Sequence, residues 1–274
     1  MSERWRSRTS SATYRILVYG VGGLSLVCLV APVVVALILS FTSAQTLQFP
    51  PPGLSLQWYA RLVDPADSGQ IHVAAWNSIK IAFLAVLVSL AFTVPASYGL
   101  ARIRRRLANS LEPMLLAPLV LPSLVFGIAL LITASLLGFR PSVLLVVISH
   151  VVVFGPLMFR TTSGIANRLD PSLEEASTLL GASRLGTFRR IVLPLLVPGV
   201  LAGGFLIFVQ SIDNVSMTLF LAPPGTTVLP LRMYAMLEQQ LDPRIAAISG
   251  VLILVSLVAL IAVQKLAPLL RDNK

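Results

Sequence analysis

The chain has 274 residues, of which 56% are apolar and only 12% charged, and it carries a net charge of +10; its mean hydropathy is +0.86. A soluble domain carries roughly 25% charged residues, so this composition excludes a soluble globular protein and implies an integral membrane protein. The lone Cys28 excludes a disulfide framework or a thiolate metal cluster.

Six uncharged runs follow one another: 16–41, 81–101, 113–139, 141–159, 191–212 and 245–264. Each is close to the ~20 residues that cross hydrocarbon as a helix. The runs are continuous rather than alternating, and lipid offers the backbone no hydrogen-bond partner outside a helix or a closed barrel, so the expectation is an all-α bundle. They leave no room for a separate soluble domain. The 26 residues of the first run exceed the 7–15 of a secretory h-region, which predicts an uncleaved span with Cys28 as a small packing residue.

Of the 21 arginines and lysines, 16 fall in four segments beside the spans: Arg4, Arg6, Arg8 and Arg15, then Arg102 and Arg104 to Arg106, then Arg160, Arg168, Arg184, Arg189 and Arg190, and finally Lys265, Arg271 and Lys274; the other five are Arg61, Lys80, Arg140, Arg232 and Arg244. Such placement is topogenic rather than a surface for nucleic acid. The positive-inside rule puts these segments in the cytoplasm. The expected organisation is a cytoplasmic tail (1–15), span 1 (16–41), a periplasmic connection (42–75), a core of spans 2 to 6 (76–266, with a loop at 164–194) and a cytoplasmic tail (267–274). Both termini then lie inside.

In the first connection, Pro50-Pro51-Pro52-Gly53 cannot be helical, since proline lacks an amide hydrogen, and is expected as a stiff extended surface segment. Trp58-Tyr59 reads as an aromatic pair at the headgroups. Asn77 suits the N-cap of the second span. Pro95, Pro118, Pro122, Pro156 and Pro198 fall within apolar runs, where each frees a carbonyl and bends its helix.

Between the fourth and fifth runs the sequence turns polar. Asp170-Pro171 reads as a helix start, with Asp170 capping free amides and proline at the first helical position. Glu174 and Glu175 follow in the first turns, where the helix dipole favours them. Gly181 suits the left-handed residue that ends a helix, and Ser183 can cap a second helix running into Pro194. A short helix across the cytoplasmic face is the result.

Glu175-Ala176-Ser177, Gly181 and Ile191-Val192-Leu193-Pro194 together form the spacing Glu-Ala-Ser-x-x-x-Gly-x₉-Ile-x-Leu-Pro. This resembles the signature loop of binding-protein-dependent type I ABC importer permeases, with Ser177 where the usual form has a second alanine. The resemblance runs from about Leu54 to Leu260. It implies a six-transmembrane-helix permease with a cytoplasmic coupling helix between spans 4 and 5, docked on an ATPase through Glu174, Glu175, Ala176, Ser177, Gly181, Leu193 and Pro194. It also implies a second permease subunit, different or identical, an ATP-binding cassette ATPase dimer and an extracytoplasmic solute-binding protein, all in the bacterial inner membrane or at its faces. A phosphate loop needs Gly-Lys-Ser/Thr, and Lys80, Lys265 and Lys274 all lack a preceding glycine. The chain is therefore expected to be non-catalytic and to bind no cofactor, with ATP and Mg used by the partner.

The fifth run ends in Gln210-Ser211-Ile212-Asp213-Asn214, roughly 28 Å beyond Pro194 if helical. With Leu229-Pro230-Leu231-Arg232-Met233-Tyr234, this segment resembles the spermidine/putrescine branch, whose Ser-Phe-Asp-Asp is here Ser-Ile-Asp-Asn. Two readings stand for Asp213: part of a substrate pathway with Gln210, Ser211 and Asn214, or a structural and interfacial acid. The expected cargo is a small polar or cationic solute such as a polyamine, with opines, phosphonates, thiamine or iron as alternatives. His150 is expected to hydrogen-bond a neighbouring helix. An ion-coupled carrier should show midplane ionisable groups in both halves, whereas here only the second half has an internal acid. A membrane enzyme should show a nucleophile elbow or a His-Glu-x-x-His helix, and neither motif is present.

Overall fold

The computed structural model describes the backbone of residues 3–272 and the side chains of residues 14–265. The topogenic side chains Arg4, Arg6, Arg8, Arg271 and Lys274 lie outside the described residues.

The chain is helical almost throughout. In order the helices are α1 (Glu3–Ser40), α2 (Gln57–Val63), α3 (Pro65–Arg102), α4 (Arg105–Leu116), α5 (Ser123–Leu136), α6 (Val143–Ala166), α7 (Ser172–Leu179), α8 (Arg184–Thr187), α9 (Leu193–Asp213), α10 (Ser216–Leu221), α11 (Leu229–Gln239) and α12 (Arg244–Asp272). Extended pairing among the described residues is limited to one bridge, Thr42 to Leu54.

Five stretches are long and apolar enough to span a membrane: Tyr14–Ser40, Pro65–Arg102, Val143–Ala166, Arg184–Asp213 and Arg244–Lys265. The third expected run, 113–139, bends at its prolines as expected and is not one straight helix. Arg105–Val120 and Ser123–Leu136 meet at 97°, because Pro118 and Pro122 each remove an amide donor and the residue before a proline is pushed out of the helical region. Leu121, between them, is extended at ψ 130°.

Two compact units divide the chain, one formed by the segment up to Asp67 with Met236–Ile253, the other by Ser68–Ala235 with the segment from Leu254. In the first unit, the connection after α1 folds back on itself. The Ser43 amide donates to the Gly53 carbonyl and the Ser55 amide to that of Phe41, so the proline segment closes a loop instead of running extended. Trp58, expected at the headgroups, is buried, and its Nε1 donates to the Ala44 carbonyl at 3.2 Å. A buried indole needs a partner for its N–H, and this loop supplies one. The Tyr59 hydroxyl donates to Ser40 Oγ at 2.8 Å, and Gly250 sits so close that a Cβ there would lie 2.5 Å from that hydroxyl. Along α1 every described residue from Tyr14 to Val34 is exposed, Cys28 included; this corrects the reading of Cys28 as a packing residue.

The second unit is organised by the seam between α6 and α9. A Cβ on Gly203 would fall 2.4 Å from Met158 Cα, and one on Gly199 would fall 2.9 Å from the Thr161 carbonyl. Glycine at these positions lets the two backbones approach, as small-xxx-small pairs do in membranes, and the Thr161 hydroxyl donates across the seam to the Gly199 carbonyl at 2.8 Å. Met158, Val146, Leu196 and Ile207 fill the surrounding core. Asn77 is not an N-cap. It lies well inside α3, nine residues past a break at Ser68, and its Nδ2 donates to the Thr227 carbonyl while Ser78 Oγ accepts from the Leu229 amide. The pair therefore ties α3 to the start of α11, and Ser78 caps that helix from a distant part of the chain.

Candidate functional site

The polar loop between α6 and α9 forms largely as its residues dictate, with α7 starting one residue later than expected, at Ser172 after Pro171. Asp170 Oδ1 accepts from the Ser172 amide at 2.9 Å, and this bond holds its carboxyl below the usual carboxylate range. Glu174 and Glu175 occupy the first turn of α7. The helix ends with Gly181 at φ +84°, the Gly181 amide donating to the Thr178 carbonyl and the Ala182 amide to that of Ser177. That is the paired bonding of a Schellman end, which requires a left-handed residue. Ser183 Oγ then accepts from the Gly186 amide and starts α8.

From Arg184 the helix runs on to Asp213 through one widened turn, in which the Leu193 amide donates to the Phe188 carbonyl, five residues back. Pro194 accounts for it. Its ring crowds the carbonyl four residues earlier and it has no hydrogen to give, so the turn opens. Leu193 and Pro194 thus act at the joint between loop and span.

The loop residues divide by face. Glu175, Ala176, Leu179, Leu180 and Gly181 are exposed, with Leu179 and Leu180 at 88% and 89%. Glu174 and Ser177 turn inward. Ser177 is buried, its hydroxyl 2.8 Å from that of Thr187 on α8. Glu174 meets the end of α3: Oε1 accepts from Arg102 Nε at 2.8 Å and also from its Nη2, while Oε2 accepts from the Tyr98 hydroxyl. The Arg102 guanidinium lies 5.5 Å from the Tyr98 ring centroid, and Tyr98 packs on Phe188 at 5.2 Å. A hollow of about 770 Å³ opens beside this cluster, lined by Glu175, Leu179 and Arg184 as well as Glu174 and Arg102.

The polar end of α9 divides in the same way. Gln210 and Asp213 are exposed, three residues apart on one face. Ser211 is buried, 2.7 Å from His150 Nδ1, so His150 joins α6 to α9 as expected. Its Nε2 faces the Thr218 hydroxyl at 3.5 Å, and Thr218 in turn donates to the Asn214 carbonyl. Asn214 Oδ1 accepts from the Met217 amide at the start of α10. The fold thus places Ser211 and Asn214 in the frame and leaves Asp213 and Gln210 accessible.

Sequence reasoning missed the inward role of Glu174 and its partners Tyr98 and Arg102. An available signal was the i, i+3 spacing of Glu174 and Ser177, which places both on one face of a short helix.

Comparison with known proteins agrees with this architecture. Residues 93–272 match the family described as binding-protein-dependent transport system inner membrane component. The spermidine/putrescine transport system permease protein PotC of Escherichia coli (strain K12) is 29% identical over 236 residues, covering 86% of this chain and 88% of its own. The molybdenum transport system permease protein ModB of Mycobacterium bovis is 33% identical over 234 residues, covering 80% and 86%. A bacterial ABC transporter that imports the acidic polysaccharide alginate shares the fold at a TM-score of 0.70 and 14% identity, covering 97% of this chain and 99% of that one. The MetNI methionine ABC transporter shares it at a TM-score of 0.58 and 14% identity, over 72% and 94%. Helices long and apolar enough to span a membrane, a capped polar helix between α6 and α9 and a family match over most of the chain converge: the protein belongs to the binding-protein-dependent inner membrane component family and is a permease subunit of an ABC importer.

Proposed function

We propose that the exposed face of α7, with Glu175, Ala176, Leu179 and Leu180, seats on a partner ATPase, and that Gly181 and Leu193-Pro194 fix its angle to the span it drives. The observation that carries this reading is the pair of leucines, almost fully exposed on a helix outside the spans, beside an exposed acid; such an apolar patch with a polar rim marks a protein interaction site. The ATPase dimer binds ATP and Mg, and this chain supplies no catalytic residue. A second permease subunit completes the pathway, and an extracytoplasmic binding protein delivers the solute. The alginate transporter of this fold, captured in complex with a pentasaccharide-bound periplasmic protein, supports that arrangement. Both termini and α7 lie on the cytoplasmic side, in keeping with the arginine-rich segments around them.

The cargo that the sequence favours is a small cationic solute such as a polyamine, with Asp213 and Gln210 lining its route. The relationship to PotC and to the putrescine permease PotI of Escherichia coli (strain K12), 29% identical over 232 residues, supports this. The relationship to ModB, a molybdenum transport system permease, favours a second reading, a molybdenum-containing solute. The test is to purify the chain from its native membranes and follow uptake of radiolabelled spermidine, putrescine and molybdate in cells that lack other carriers for them. An ATPase that co-purifies with the wild type and is lost from Glu175→Lys supports the docking face; its retention refutes it. Molybdate uptake without polyamine uptake would assign the cargo to the second reading.

A further inference from the structure

The two adjacent glutamates of α7 have opposite environments, and the difference assigns them separate tasks. Glu175 is exposed. Glu174 is closed into a cluster on the last turn of α3, where its carboxylate takes two donors from Arg102 and one from Tyr98. The side chains of Arg102 and Glu174 are only 24% and 22% exposed. A pair shielded to that degree is screened far less than a surface ion pair, and a fork-like guanidinium contact holds direction as well as distance. Tyr98 completes it from both sides, through its hydroxyl to Glu174 and its ring to Phe188 in the joint before α9.

We propose that Arg102, Glu174 and Tyr98 form a latch that carries movement of α7 into the second span, α3, in addition to the covalent route into α9. The inference rests on the reading of α7 as the ATPase-docking helix. Three side chains from two elements are bound at one point, so a force on α7 cannot tilt it without pulling the end of α3. One ATPase stroke thereby moves two spans of the same subunit together. Glu174 is thus a positioning residue that acts through Arg102, and Glu175 is left to face the partner.

The test uses the complete importer, purified and returned to lipid discs, with an environment-sensitive dye on a Phe92→Cys, Cys28→Ser chain. Phe92 is on the exposed face of α3, 69% accessible. MgATP with vanadate traps the closed ATPase, and the dye reports whether α3 responds. The wild-type background responds. Arg102→Glu and Glu174→Arg each place like charges together and lose most of the response while the ATPase still co-purifies and hydrolyses ATP; the double reversal restores it. A merely structural role would instead lower assembly, hydrolysis and response together. Should the reversals fail to accumulate, Glu174→Gln and Tyr98→Phe keep shape and remove the charge or the hydroxyl, and each is expected to lose at least half of the amplitude. A response indifferent to these changes, or one that the double reversal fails to recover, overturns the latch alone. Absence of any ATPase from the wild-type complex overturns the docking reading instead.

Discussion

The helix that runs from Arg184 to Asp213 has a polar cluster at each end, and the two clusters are built to opposite plans. At the Arg184 end, α7 turns Glu174 and Ser177 inward as fastenings and presents Glu175, Leu179 and Leu180 outward. At the Asp213 end, Ser211 and Asn214 are absorbed by His150, Thr218 and the start of α10, and only Gln210 and Asp213 stay accessible. The first plan makes a protruding surface braced from beneath, the second a braced helix end with a small polar face. A motif residue is therefore not a contact residue by membership alone, and the face decides.

The largest effect is expected where the brace itself is tightest. Gly203→Val drives a branched side chain into Met158 and Thr161 across the α6–α9 seam and is expected to cost at least the ~3 kcal/mol at the upper end of overpacking. Loss of folded, detergent-extractable chain in a thermal assay checks it, and an unchanged melting profile would break the claim that the close approach at Gly203 holds the α6–α9 seam. Next comes Gly181→Pro, which cannot take φ +84° and removes the amide that donates to Thr178; a local loss of roughly 3 kcal/mol follows. Hydrogen exchange should rise in α7 and stay unchanged at Ser211 and His150, which separates one end from the other.

Two smaller changes sharpen the division of faces. Glu175→Ala removes an outward acid, so the fold should keep its stability while ATPase association weakens by about tenfold, or ~1.4 kcal/mol. Ser177→Ala should do the reverse: it leaves Thr187 without its buried partner at a cost of about 1 kcal/mol to stability, with no change in ATPase affinity once folded. The smallest effect belongs to Asp213→Asn. Stability should hold within about 0.5 kcal/mol, and polyamine uptake affinity should fall by the ~1 kcal/mol or less of an exposed ion pair. Uptake unchanged at every concentration would remove Asp213 from the pathway.

Much of α7 was legible because its signals are local. Asp170, Ser183 and Gly181 each act on backbone groups within a few residues, and sequence order alone specifies those partners. The contacts that bind elements together were not legible in the same way. Asn77 looked like a cap because an amide before an apolar run usually is one, yet α3 starts at Pro65 and the side chain reaches Thr227, 150 positions away. Trp58 looked interfacial because Trp-Tyr pairs gather at the headgroups, and only the return of the chain after α1 brings the Ala44 carbonyl to its indole. The bend of the third span at Pro118 and Pro122 was legible from those prolines, but its size, 97°, was not, because composition and spacing carry no angle. Gly199 and Gly203 did carry a local sign, the four-residue spacing, and the close approach of Met158 shows what it was for.

The central claim is that the outward face of α7 meets the ATPase. Photo-crosslinking tests it most directly: benzoylphenylalanine is placed at Leu180 and, as a control, at Phe139, which is also exposed but lies beyond α5. The account predicts an ATPase adduct from position 180 that changes in yield with MgATP and none from position 139; adducts from 139, or none from 180 in an assembled complex, would contradict it.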